Sequence, residues 1–156
     1  TFTIVGARPT REVLALGTRP GVIVTGQVPD VRPYLRNAAV AVAPLLVARG
    51  IQNKVLEAMA METPVVVTRA AFRGVDASEG EGVVPADNAA DFAARVLEIL
   101  RDPHLGAEIG RKGRRLVEVR YVWDEQLAHL ESILLDVVPA PRERETSPVL
   151  TKGGHG

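Results

Sequence analysis

Five short runs of β-branched and small apolar residues punctuate this chain: FTIVG (2–6), GVIVTG (21–26), VAVAPLL (40–46), PVVVT (64–68) and GVVPAD (82–87). Their apolarity is continuous rather than alternating, so each strand they form is covered on both faces. The segments between them are long enough to cross over and return, which parallel pairing requires. The pattern therefore predicts an α/β fold, a doubly wound parallel sheet with helices on both faces. A chain of 156 residues, 46% of them hydrophobic, can bury the core of one such domain.

The connecting segments read mostly as helices. RPTREVLALG has helical spacing, with Thr10 as N-cap and Val13, Leu14 and Leu16 facing inward. PDVRPYLRNA follows, with Asp30 as N-cap and Val31, Tyr34 and Leu35 inward. NKVLEAMAM leads into the fourth strand, and RAAFRGVDASEGEG reads as a loop. DNAADFAARVLEILRD is amphipathic through Phe92, Val96, Ile99 and Leu100, until Pro103 breaks it. A further helix runs to about Tyr121, and WDEQLAHLESILLDVV forms a last one. The expected folded domain is 1–136, and the aperiodic, Pro- and Gly-bearing 137–156 is expected to be a mobile tail.

Nineteen basic and nineteen acidic side chains cancel, so no global field points to nucleic acid. The chain has no cysteine, which excludes a disulfide scaffold and thiolate metal sites and suits a cytoplasmic setting. No apolar run approaches the roughly 18 residues that cross a bilayer. TFTIVG opens in the middle of a strand-like pattern, and the sequence reads as a piece of a longer protein.

In a sheet of this kind ligands sit at the carboxyl ends of strands, where loops enter helix N-termini. Three loops qualify, GARPT, GQVPD and PLLVARGIQN. With Asn53 as cap, the N–H groups of Lys54, Val55 and Leu56 would lack intrahelical partners and form an anion site suited to a phosphate. Lys54 adds a point charge; it is one of three lysines beside sixteen arginines. Glu57, four residues beyond Asn53 on the same face, would repel a phosphate but can accept from two adjacent hydroxyls, as on a ribose. The alternative is that Lys54 and Glu57 form an ordinary surface pair three residues apart.

Other signals are weaker. No Gly-rich dinucleotide fingerprint or Walker loop occurs. His104, His129 and His155 are scattered, Ser78 and Ser132 have no neighbouring base in sequence, and Trp123 suits a core anchor. The basic run GRKGRRLVEVR reads as a solvated helix face, with contact to acidic lipid headgroups as a minority reading.

NKVLEAMAMETPVVVT resembles the signature of the family 4 (group 1) glycosyltransferases, in which a donor loop precedes a Glu-Ala-Met-Ala helix and a Pro-Val-Val strand. VTGQVPDVRPYLRNAAVAVAPL upstream and GVVPADNAADFAARVLEILRDPHLGAEIGRKGRRLVEVRYVWDEQLAHL downstream extend the resemblance over about residues 1–136. ARGIQNKVLEAMAM is similar to sugar transferases of bacterial exopolysaccharide and exosortase systems. The resemblance implies the Rossmann-like C-terminal half of a GT-B fold. It also implies transfer of a sugar from a UDP- or GDP-linked donor to a glycan or lipid-linked acceptor. That transfer is usually retaining and needs no metal or other cofactor. Glu57 matches the glutamate that holds the donor ribose. Gly50, Ile51, Gln52, Asn53 and Lys54 match the segment around sugar and diphosphate, and Gln27 and Val28 the loop that meets the base through backbone groups. No catalytic residue is assigned.

Two departures stand out. Arg49 occupies the place of the family's first motif glutamate, and becomes a candidate contact to the donor sugar or phosphate. Glu62-Thr63 stands where a left-handed glycine usually ends the helix. In the family a further strand and helix precede this segment, and that strand is central in the sheet. Without it two apolar edges are left, so the flanking strands are expected to pair directly or to pair with another chain. The piece alone is expected to be inactive. A nucleotide-sugar epimerase and a non-catalytic nucleotide-binding or interaction module are the rival functions.

Overall fold

The computed structural model describes residues 1–122, together with Leu127 and Ile133; the rest of the expected last helix, with Trp123, His129 and Ser132, and the tail lie outside the described residues. In chain order the elements are β1 (Phe2–Val5), α1 (Arg11–Leu16), β2 (Val22–Gly26), α2 (Arg32–Arg36) and β3 (Ala41–Ala43). They continue as α3 (Asn53–Ala60), β4 (Val65–Thr68), α4 (Arg69–Phe72), β5 (Val83–Ala86), α5 (Ala89–Arg101) and α6 (Pro103–Arg120). Thr1–Val122 form one compact unit.

All five predicted strands form, and every pairing is parallel. β4 is the middle strand of the sheet β3–β4–β5, and its three valines are at most 1% exposed. Strand alternation sends them to opposite faces. Val65 and Val67 join Val83, Val55, Met59 and Leu116 in the core shared with α3 and α6. Val66 joins Ala86 and Ile99, packed by Val84, Phe92 and Val96, in the core shared with α5. A helical layer on each face is what continuous apolar strands require. Pro85 is tolerated because β5 pairs on one side only.

Glycines let α6 lie close. A Cβ at Gly110 would strike the Glu62 carbonyl, and one at Gly82 the backbone of Gly113. The basic run falls on the outward face of α6. Lys112 pairs with Glu108 at 2.7 Å, Arg114 with Glu118 at 2.7 Å and Arg120 with Glu81 at 3.3 Å, which fits a solvated helix face.

Several expectations need correction. β1 pairs with β2 alone and β3 with β4 alone, so the flanking strands do not join into one sheet. β3 has only three residues, and Ala41 N–H, donating to the Pro64 carbonyl at 2.8 Å just ahead of β4, belongs to that same pairing. Leu14 (53% exposed), Leu16, Val31 and Tyr34 do not face a core. A two-stranded sheet is too narrow a platform to cover them. Leu100, at the margin of the α5 stripe, is also exposed. Residues 69–72, expected as loop, form α4, because Thr68 Oγ1 accepts from Ala71 N–H and caps a turn directly after the strand. Asp30 does accept the Arg32 N–H at 2.9 Å, but the helix starts one residue later than its cap position would give.

Candidate functional site

Two groups of residues gather at the carboxyl ends of the strands. The first lies beyond β1 and β2. Gly6 N–H donates to the Gly26 carbonyl at 3.1 Å, which ties the two strand ends together. Gly26 then turns the chain through a left-handed conformation, φ 72°. Between the ends opens a pocket of about 460 Å³. Val5, Val28 and Val31 form its apolar walls, Gly6 and Ala7 leave room, and Arg8 and Gln27 supply the polar side chains. Arg8 holds φ 53°, an uncommon conformation for a residue with a side chain.

The second group is the β3–α3 loop and the first turns of α3. Thr68 Oγ1, at the end of β4, donates to the Leu45 carbonyl at 2.5 Å and anchors the loop's start. The far end folds over Gln52, whose side-chain amide donates to the Arg49 and Gly50 carbonyls at 3.2 and 3.3 Å. Gly50 turns at φ 62°, and its carbonyl rests where a Cβ on Gly74 would stand. Thr68 and Gly74 escaped the sequence reading. The pairing of two glycines 24 positions apart has no local signature, whereas a Thr closing a strand before a short helix is a readable cap signal.

The helix entry differs from expectation by one residue. Gln52, not Asn53, occupies the cap position, without a side-chain capping bond, and Asn53 is the first helical residue. The Gln52 carbonyl therefore becomes the first acceptor, taking Val55 N–H at 2.8 Å and Leu56 N–H at 3.3 Å. Val55 and Leu56 are thus not free donors; among the described residues, Asn53 and Lys54 N–H are. Two N–H groups at the positive end of the helix dipole still make an anion site.

Lys54 and Glu57 are both exposed, on a helix that buries Val55, Ala58 and Met59. No ion pair joins them, and neither side chain has a hydrogen-bond partner among the described residues, so the surface-pair alternative is not formed. Arg49 is exposed too, its guanidinium equally unpartnered there. The loop and helix thus gather Arg49, Gly50, Ile51, Gln52, Asn53, Lys54 and Glu57 in one place, while Gln27 and Val28 line the pocket with Arg8. No hydrogen bond links the two groups among the described residues.

A charged clamp stands at the ends of β4 and β5. The Arg69 guanidinium bonds the Asp87 carboxylate at 2.6 Å and also pairs with Glu79. These bonds raise the arginine further above its ordinary range and hold the Asp87 carboxyl below the usual carboxylate value. Among the described residues, no group of three or more metal-ligating side chains occurs, and no helix is long and apolar enough to cross a membrane.

A family model described as "Glycosyl transferases group 1" matches residues 1–102. No curated protein matches the chain. Solved structures similar to it include TarM, with TM-score 0.74 and 19% identity, covering 86% of this chain and 28% of TarM. Sucrose-phosphate synthase from Thermosynechococcus elongatus has TM-score 0.71 and 23% identity, covering 87% of this chain and 39% of the synthase. Anabaena HepE in complex with UDP has TM-score 0.70 and 18% identity, covering 85% and 40%. The chain therefore spans 28–40% of the length of these structures, and the likeness is one of fold. Parallel sheets flanked by helices on both sides match the arrangement of these GT-B glycosyltransferases.

Proposed function

Because the chain belongs to the group 1 glycosyl transferases, we propose that it forms the donor-binding part of an enzyme that moves a sugar from a nucleotide-diphosphate donor. The acceptor in this reading is a glycan or lipid-linked sugar, the outcome is retention, and the setting is surface polysaccharide synthesis. The observation that carries the reading is the unpartnered trio at the entry of α3: the Asn53 and Lys54 N–H groups, the Lys54 ammonium and the Glu57 carboxylate. Cationic and anionic groups left free side by side, instead of neutralising each other, suit a ligand with an anionic part and a hydroxylated part.

In that ligand the diphosphate lies against the α3 N-terminus and Lys54, and Glu57 accepts from the ribose hydroxyls. Gly50, Ile51 and Gln52 line the approach of the sugar, where Arg49 adds a second cation within reach of sugar or phosphate. Gln27 and Val28 meet the base. As the glycosidic bond breaks, negative charge grows on the departing diphosphate, and fixed N–H dipoles with Lys54 stabilise it where it forms. The bound UDP of HepE, a protein of the same fold, supports a nucleotide as ligand.

The test is calorimetric titration of UDP and GDP into the full-length protein and its Glu57→Ala variant. Loss of charged hydrogen bonds to the ribose is expected to weaken binding by about 1–3 kcal/mol. Equal affinity in both proteins would remove Glu57 from the site, and no binding in either would end the donor-binding reading.

A further inference from the structure

We propose that Arg8 reads the nucleobase of the donor and selects guanine, an inference that rests on the donor-binding reading above and extends it to the base. The pocket beyond β1 and β2 has the composition of a site for a flat heterocycle. Three valines supply apolar walls, and two small residues leave its floor open. Arg8 and Gln27 are the polar side chains that line it, and neither has a hydrogen bond or ion pair among the described residues. The nearby carboxylate of Asp30 is already engaged by Arg32 at 2.9 Å. Arg8 is also held in a left-handed conformation that glycine would adopt without cost.

The choice of base follows from the donor pattern of a guanidinium. Arginine offers parallel N–H donors and no acceptor. Guanine presents two adjacent acceptors, O6 and N7, which that fork meets in bidentate fashion. In uracil each carbonyl flanks the N3–H donor, so the same fork finds one acceptor at a time. Adenine sets the N6 amino donor beside N7 and again offers only one. Cytosine does pair O2 with N3, but a UDP- or GDP-linked donor, as the family resemblance implies, leaves the choice between guanine and uracil. The Gln27 amide carries both a donor and an acceptor and can serve any of these bases. Discrimination therefore falls to Arg8.

The experiment is titration of GDP, UDP and CDP into the full-length protein, wild type and the variants Arg8→Gly and Arg8→Lys. Arg8→Gly removes the guanidinium while suiting the left-handed backbone. Arg8→Lys keeps the charge without the fork. Wild-type protein is expected to prefer GDP over UDP by about 5- to 150-fold, the range of one bidentate pair. Both variants are expected to lose that preference by weakening GDP while leaving UDP within about threefold. Three results overturn the proposal alone: nucleotide binding without guanine preference, a preference for UDP or CDP, or a variant that weakens GDP and UDP equally. The last would make Arg8 a phosphate contact. Failure of every nucleotide to bind overturns it together with the reading beneath it.

Discussion

Glu62 ends α3 at φ 58°, in the region where a Cβ crowds the following carbonyl. Around it the termination is complete: Glu62 N–H donates to the Met59 carbonyl and Thr63 N–H to the Ala58 carbonyl, both at 3.0 Å. This is the hydrogen-bond pattern that glycine usually serves. The following Thr63, 3% exposed, secures the turn by donating its hydroxyl to the Leu35 carbonyl at 2.9 Å. Glu62→Gly is therefore expected to raise stability by about 1 kcal/mol, read as a higher denaturant midpoint with unchanged slope. An unchanged or lower midpoint would show that the glutamate side chain compensates for its backbone. The cost was readable in the sequence, because one missing glycine at a helix end is a local matter. The shift of the α3 cap from Asn53 to Gln52 was not, because Asn is the better capping side chain and the loop's return over Gln52 decided otherwise.

At the scale of elements, the β3–α3 loop depends on a neighbour far along the chain. Gly74, just past α4, leaves the space into which the Gly50 carbonyl projects. Gly74→Ala would put a methyl group against that oxygen, and the loop that holds Arg49 to Gln52 would have to move. The expected result is a loss of about 1–3 kcal/mol of stability, the usual cost of overpacking. Nucleotide affinity should fall with it even though residue 74 is outside the proposed contacts. Unfolding and titration of the same variant check both, and unchanged affinity would separate the loop from the site. Apart from α4, element types were legible because apolar strands and the α5 stripe are local patterns. Exposure of Leu14, Leu16, Val31 and Tyr34 was not, since their helical spacing is genuine and what fails is the width of the surface they could cover.

Across the whole described chain, burial is uneven. No residue before Ala43 reaches the interior, whereas β4 is covered on both faces. The β1–β2 pair leaves Phe2 and Ile23 about half exposed, 47% and 50%, and each sheet keeps one strand, β1 or β2 and β3 or β5, at either edge. Unpaired edges beside exposed apolar side chains recruit other strands. This chain, taken by itself, is expected to self-associate, with a sedimenting mass that rises with concentration above that of one chain. A single-chain mass at all concentrations would show that the edges are blunted. Local sequence determined the strands, the parallel α/β class and the polar residues at the entry of α3, because these depend on periodicity and on residue types a few positions apart. Only the tertiary structure decided that β1–β2 and β3–β4–β5 stay separate sheets, that Lys54 and Glu57 leave each other unpaired, and that Arg8 shares a pocket with Gln27. The first and last of these depend on which distant segments meet, and no window along the chain contains both; the second depends on how α3 sets two exposed side chains apart.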